Sequence, residues 1–246
     1  MNIQIIASDS KGNATLISDG YTNILLDAGI PYSKLSKAVK LSKVDGVLIS
    51  HEHADHCKAV YELLRRGTNV YMSYGTRKAL MAFNAVTVKH LEQFHIGTFT
   101  VLPFDLVHDV AEPLGFLLYS NKTKKKAVYI VDSGYVNYEF KGITHFLVEA
   151  NYREDMLAKS DYHEAVKSRI RKNHFSIDSL KQFFKESDLS KAEAIYLLHL
   201  SSANSDESVF VREIEQTTGV PVYTKADVFM KQMREAVNSI DILTDE

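Results

Sequence analysis

The chain has 246 residues, with 29 Lys and Arg against 31 Asp and Glu, for a formal charge of −2. Its 45% hydrophobic and 24% charged residues exclude the disordered and collagen-like classes, and a chain of this length buries a core without staples. A single cysteine, Cys57, excludes an internal disulfide framework, and the near-neutral balance argues against a nonspecific coat for DNA.

In chain order, short apolar runs predict strands over 3–6, 15–18 and 24–26, with turns at Gly12-Asn13 and Asp19-Gly20. A helix over 32–39 and a continuous apolar strand over 44–49 follow. Next come a helix over 57–66 closed by Gly67, a strand over 70–72 and a helix over 75–83. The middle predicts strands over 98–106, 115–119, 126–131 and 145–148, with the lysine-rich run 121–126 as a polar hairpin. The last third alternates a helix over 176–187, a strand over 194–198, a helix over 207–217 and a strand over 220–223. This pattern predicts an α/β protein with two sheets covered by helices on their outer faces. With no internal repeat and no Pro- or Ser-rich linker, one domain spanning 1–246 is expected. The opening residues lack a basic segment followed by a long apolar run, and no stretch matches a membrane span. A cytoplasmic protein without membrane association is therefore expected.

Ten histidines are the unusual feature of the composition, and four potential ligands, His51, His53, Asp55 and His56, crowd into the six residues His51-Glu52-His53-Ala54-Asp55-His56. On one strand or helix these side chains diverge. On a tight loop after the 44–49 strand they converge on one or two ions, and imidazole with carboxylate suits zinc, manganese or iron. Three more candidates end predicted strands, as a site built on a rigid sheet requires: His108, Asp132 and His199.

These residues, with Ala7-Ser8-Asp9-Ser10-Lys11-Gly12-Asn13, Leu26-Asp27-Ala28-Gly29, Glu149-Ala150-Asn151, Asn173-His174-Phe175-Ser176 and Leu198-His199-Leu200-Ser201, resemble the metallo-β-lactamase fold superfamily. Within it the chain is similar to the YycJ-like branch, which contains exonucleases; phage anti-Pycsar enzymes, which cleave cyclic nucleotides, are also similar. The resemblance implies a four-layer αββα sandwich and two divalent ions, Zn or Mn, per chain. It implies His51, His53 and His108 around one ion, Asp55, His56 and His199 around the other, and Asp132 as a bridge. Asp55, Asp132 and His174 are the implied catalytic residues. Asn13, Arg169, Arg171 and Lys172 are the expected substrate contacts, and Asp27 is either a support for ligand histidines or a simple turn residue. The chain departs from the branch pattern at Asp9, Ser133 and Tyr152, none of them a ligand.

The function this implies is hydrolysis of a phosphodiester, in DNA or in a cyclic mononucleotide, by water activated between two ions. Tyr135, Tyr138 and Tyr152, near the ligand-bearing strand ends, are candidates to stack on a base, and a homodimer is a further expectation. The alternative is another hydrolase of the same fold, a glyoxalase II-like thioesterase or a lactamase. Against the thioesterase stand the short remainder 200–246 and its acidic end 241–246. A non-catalytic binder would have lost ligands, and this chain keeps all seven.

Overall fold

Alternate residues of single strands go to different layers, and that alternation builds the architecture. The computed structural model describes residues 1–228; the acidic run 241–246 lies outside them. Six strands form one sheet in chain order: β1 (Asn2–Asp9), β2 (Gly12–Ser18), β3 (Asn23–Leu26), β4 (Gly46–Leu48), β5 (Val70–Met72) and β6 (Val86–Thr87). Seven form the other, also in chain order: β7 (Phe94–Ile96), β8 (Phe99–Asp105), β9 (Leu114–Ser120), β10 (Lys126–Ile130), β11 (His145–Glu149), β12 (Ala194–Leu198) and β13 (Val222–Tyr223). Each sheet starts antiparallel and ends parallel, from β3 in the first and from β10 in the second.

Ile24 and Leu26 of β3 enter the core between the sheets beside Tyr129, Leu147 and Leu198. Leu25 points the other way, towards Leu35 of α1 (Tyr32–Ala38) and towards Leu63, which lies beyond α2 (Ala54–Cys57) in α3 (Val60–Arg65). In the second sheet Val128, Ile130, Phe146 and Val148 face outward. They pack on Leu180 and Phe184 of one helix and on Phe210 and Ile214 of another. Strands buried on both faces read as unbroken apolar runs, which is why β10 to β12 were predicted almost to the residue. The result is the expected four-layer helix–sheet–sheet–helix sandwich. Burying each such Leu or Ile contributes roughly 1.5–3 kcal/mol.

Local differences from the sequence reading have physical causes. Gly12 and Asn13 are not a turn but the start of β2, the turn falling at Ser10 and Lys11. Gly12 is needed because a Cβ there would meet Ile30 and the Gly29 carbonyl at 2.5 and 2.7 Å. The single helix expected over 57–66 is two helices. Ala28 intervenes, its N–H donating to the His56 carbonyl and its carbonyl accepting from Ala59 N–H. After α4 (Tyr74–Ala79), two helices escaped prediction, α5 (Glu154–Lys159) and α6 (Glu164–Asn173), because half of each is charged and their apolar residues are few. The expected α7 (Ile177–Glu186) and α8 (Glu207–Thr218) are present. Among the described residues no helix is long and apolar enough to cross a membrane.

The C-terminal strand ends of both sheets share one edge of the sandwich, and the lysine hairpin is at the other. Lys126 starts β10 and Asp132 follows its end, so about 20 Å of strand separates them. At that far edge His145 is buried and stacks on Tyr196 with an interplanar angle of 9°. Burial, aided by the nearby N-terminal ammonium, pushes its pKa down to about 4. A histidine with a depressed folded pKa is protonated first in the unfolded chain, so its contribution is present above about pH 6.5 and lost towards pH 4. Between pH 7.5 and pH 5 the loss is about 2 kcal/mol. A His145→Phe variant, which keeps the ring, should therefore lose less stability over this interval than the wild type, as read by urea denaturation at both pH values. Equal losses would show that this imidazole is not the acid-sensitive group.

Candidate metal centre

His51 and His53 sit on the turn between β4 and α2, Asp55 and His56 in α2 itself, and three ligands leave the second sheet beyond the ends of β8, β10 and β12. The backbone takes a left-handed turn at Asp27 (φ 57°), Asp132 (φ 50°) and His199 (φ 51°), just after β3, β10 and β12. A non-glycine residue pays about 1–2 kcal/mol for that conformation, and here it swings a side chain from the strand end into the space between the sheets.

Nε2 of His51, Nδ1 of His53 and Nε2 of His108 converge. His53 Nδ1 lies 3.0 Å from His51 Nε2 and 3.2 Å from His108 Nε2. Neighbouring ligands of a tetrahedral ion with bonds of about 2.0–2.1 Å are about 3.3 Å apart, so the three nitrogens already have the spacing an ion imposes. Asp55, His56 and His199 make a second group, with Asp55 Oδ2 at 3.5 Å from His56 Nε2 and 3.6 Å from His199 Nε2. His199 Nε2 is buried and has no hydrogen-bond partner among the described residues, an orphan that an ion would satisfy. Asp132 stands between the groups: its Oδ2 is 3.3 Å from His51 Nε2 and 3.1 Å from His56 Nε2. The donor atoms within each group lie within 4.8 Å of one another, so both groups are suited to metal ions.

The far ring nitrogens are committed. His56 Nδ1–H donates to Asp27 Oδ2 at 2.7 Å, and His51 Nδ1–H to Ser50 Oγ at 3.0 Å. That hydroxyl donates on to Asp27 Oδ2 at 2.9 Å, and buried Tyr129 OH donates to the same oxygen at 2.8 Å. Asp27 is thus a support for ligand histidines, not a simple turn residue. These bonds fix which nitrogen carries the proton and leave Nε2 of both imidazoles with a lone pair free to bind an ion. Charge follows the same logic. Burial pushes His108 down to about 4, so it is neutral at pH 7. Burial alone would raise Asp132, but the His199 and His56 imidazoles outweigh it and hold the carboxyl well below its usual range.

Glu149 is the residue that sequence reasoning missed. It ends β11, is fully buried, and its Oε1 accepts from His174 Nδ1 and His199 Nδ1, both at 2.7 Å. The signal was present: a carboxylate ending the apolar run Phe146–Val148, the same signal that marks Asp132. Asn151 supports His199 as well, donating to its carbonyl at 3.0 Å. His174, expected before a helix, caps the end of α6, with its ring stacked on His199 at 5.4 Å. Burial alone would lower its pKa, but Glu149 and Asp132 outweigh that and lift it to about 9.

The expected substrate contacts are placed unevenly. Asn13 is buried; its Nδ2 donates to the carbonyls of Asp9 and Asp55 at 3.2 and 3.4 Å and lies 3.1 Å from His56 Nε2, so it braces the ligand loop and reaches a ligand nitrogen. Arg169 is paired with Asp109, and Arg171 with Glu154 and Glu164, each at 2.7 Å. Lys172 is exposed beside Gly134, where a Cβ would meet its carbonyl at 2.0 Å. Tyr135 is 52% exposed, whereas Tyr152 is buried and cannot stack on a base. Tyr138 bonds to His90 and Asp105. Cys57 is a buried free thiol whose pKa burial pushes up to about 11, and it is inert.

Residues 22–200 match the family described as Beta-lactamase superfamily domain. The chain belongs to this superfamily. Exodeoxyribonuclease WalJ of Streptococcus pneumoniae is 27% identical, the match covering 91% of this chain and 88% of that protein. Exodeoxyribonuclease YycJ of Bacillus anthracis is likewise 27% identical, over 88% of each. Among solved structures, the metallo-beta-lactamase fold protein YhfI from Bacillus subtilis superimposes with a TM-score of 0.70 at 18% identity, covering 90% of this chain and 95% of that one. As a member of the beta-lactamase superfamily, this chain has its His and Asp clusters at the edge where β4, β10 and β12 end.

Proposed function

We propose that this superfamily member is a two-metal phosphodiesterase acting on the ends of DNA, with its one domain supplying every ligand. The observation that carries the reading is Asp132, whose Oδ2 lies within 3.3 Å of a histidine from each ligand group, so that one carboxylate would serve both groups. Zinc and manganese both fit this nitrogen and oxygen set. Two ions held there supply Lewis acidity towards a phosphoryl oxygen and a nucleophile at neutral pH. The protein's own part is to keep His51, His56 and His199 in the right tautomer through Asp27, Ser50 and Glu149. His174, held through Nδ1 by Glu149, offers Nε2 as proton donor to the departing oxygen. The names of the two exonuclease relatives support DNA as substrate, and a cytoplasmic location suits both that substrate and a thiol that stays reduced.

The test is an assay of the manganese- or zinc-loaded protein on linear duplex DNA, single strands, cyclic mononucleotides and bis(p-nitrophenyl) phosphate. Hydrolysis of the synthetic diester and of DNA from an end is expected. Turnover of cyclic nucleotides with DNA untouched would move the substrate to the small diester. Turnover of a thioester or a β-lactam without any diesterase activity would overturn the reading.

A further inference from the structure

We infer that the phosphates of the bound strand run out of the site on the Asp55–His199 side, over Lys11 and Lys58, and not over the arginines of α6. The inference rests on the phosphodiesterase reading and adds the direction of the strand. Lys11 is at the exposed tip between β1 and β2, and Lys58 follows α2, three residues beyond Asp55. Lys58 Nζ donates to the Lys11 carbonyl at 3.4 Å, so the two side chains leave from one place.

That place is rigidly tied to the ligands. His199 N–H donates to Ser8 Oγ at 2.8 Å at the root of the tip. Asn13 binds the carbonyls of Asp9 and Asp55. A Cβ at Gly29 would sit 1.6 Å from the Asp55 carbonyl, so the tip, the 27–29 loop and α2 touch backbone to backbone. Asp9, the acidic group at the tip, turns Oδ1 back to the Lys11 N–H at 2.7 Å. Neither ammonium is paired with a carboxylate among the described residues.

The opposite side carries the other sign. Glu52, Asp109 and Glu112 gather beside His53 and His108. Glu52 accepts from Ala111 N–H at 2.8 Å, and Glu112 from Gly75 N–H at 2.6 Å. The one arginine there, Arg169, is spent on Asp109. A chain of phosphates is repelled along that side and attracted along the other, over distances shorter than the screening length of about 8–10 Å. A diester with a single phosphate, seated on the ions, gains nothing from the lysines beyond the site.

The experiment measures binding and turnover separately. Fluorescence anisotropy with a labelled phosphorothioate 20-mer gives the slope of log Kd against log salt, for the metal-loaded protein. In Lys11→Ala/Lys58→Ala the slope should flatten by about 1.4, two single-strand phosphate contacts at ~0.7 each. kcat/KM for an ordinary oligonucleotide should fall about ten-fold relative to that for bis(p-nitrophenyl) phosphate. Lys122→Ala/Lys124→Ala, at the far edge, should change neither. An unchanged slope in the Lys11/Lys58 variant, or a flattening seen instead in Arg169→Ala/Arg171→Ala, would overturn the inference. The anisotropy arm decides even if no diester is cleaved, so failure of the activity and failure of the strand path are told apart.

Discussion

Asp132→Ala will lose metal and turnover together, with elemental analysis falling well below two ions per chain. The carboxylate is nearly fully buried, and its Oδ2 lies within 3.3 Å of Nε2 of both His51 and His56. Without it the two proposed ion sites would keep a single carboxylate, Asp55, in their ligand set. Loss of a supporting hydrogen bond costs about 10–100-fold in affinity or activity, and loss of a shared ligand must exceed that. Because residue 132 has a positive φ, Ala also pays about 1–2 kcal/mol of backbone strain. Asp132→Asn separates the two effects, since Asn tolerates that conformation and keeps the shape while removing the charge. Both variants should lose metal, and only the Ala variant should also melt lower beyond the loss of metal. Full turnover in either would remove Asp132 from the centre.

His174→Ala should behave in the opposite way, keeping its metal and losing rate. The ring bonds Glu149, stacks on His199 and lies 3.6 Å from Asp132 Oδ1, but it belongs to neither of the two ligand groups. A general acid contributes about 10²–10⁴-fold, and its loss should fall on kcat. The leaving group supplies the readout that a merely structural role would not move. A DNA hydroxyl leaves poorly without a proton, while p-nitrophenoxide leaves well without one. The variant should therefore be crippled on DNA and much less affected on bis(p-nitrophenyl) phosphate. Glu149→Gln should show the same split in milder form, because the amide still holds the ring but no longer favours its protonated state. Loss of metal in His174→Ala with rate retained per bound ion would make it a ligand.

The ligand set was legible because metal chemistry demands residue types that are rare at strand ends. His108, Asp132 and His199 each interrupt a run that is otherwise apolar, and the cluster 51–56 has no other economical explanation. Glu149 was missed although it ends its run in the same way, because a glutamate beyond a strand more often marks a solvated loop. Its burial depends on α6 and α7 closing over it, and α6 has no apolar periodicity to betray it. The arginines at 169 and 171 were singled out by closeness in sequence to His174. Their partners, Asp109 and Glu154, come from segments that only the fold brings near. Lys11 and Lys58 are 47 residues apart in the chain, and nothing local in the sequence joins them.

The centre lies across the seam of the sandwich. His51, His53, Asp55 and His56 belong to the half that ends at β6, and His108, Asp132 and His199 to the half that begins at β7. An ion held by both would be a rivet between two layers otherwise joined by apolar packing and by hydrogen bonds such as Tyr129 to Asp27 and His199 to Ser8. Ion affinity and docking of the halves are then one equilibrium, since whatever binds only the docked arrangement stabilises it. Two sheets that have slipped by a single strand register present no complete ligand set and cannot be loaded. Ions at this centre would therefore be taken up only by chains whose halves have already met correctly, and metal capture would double as proofreading of assembly.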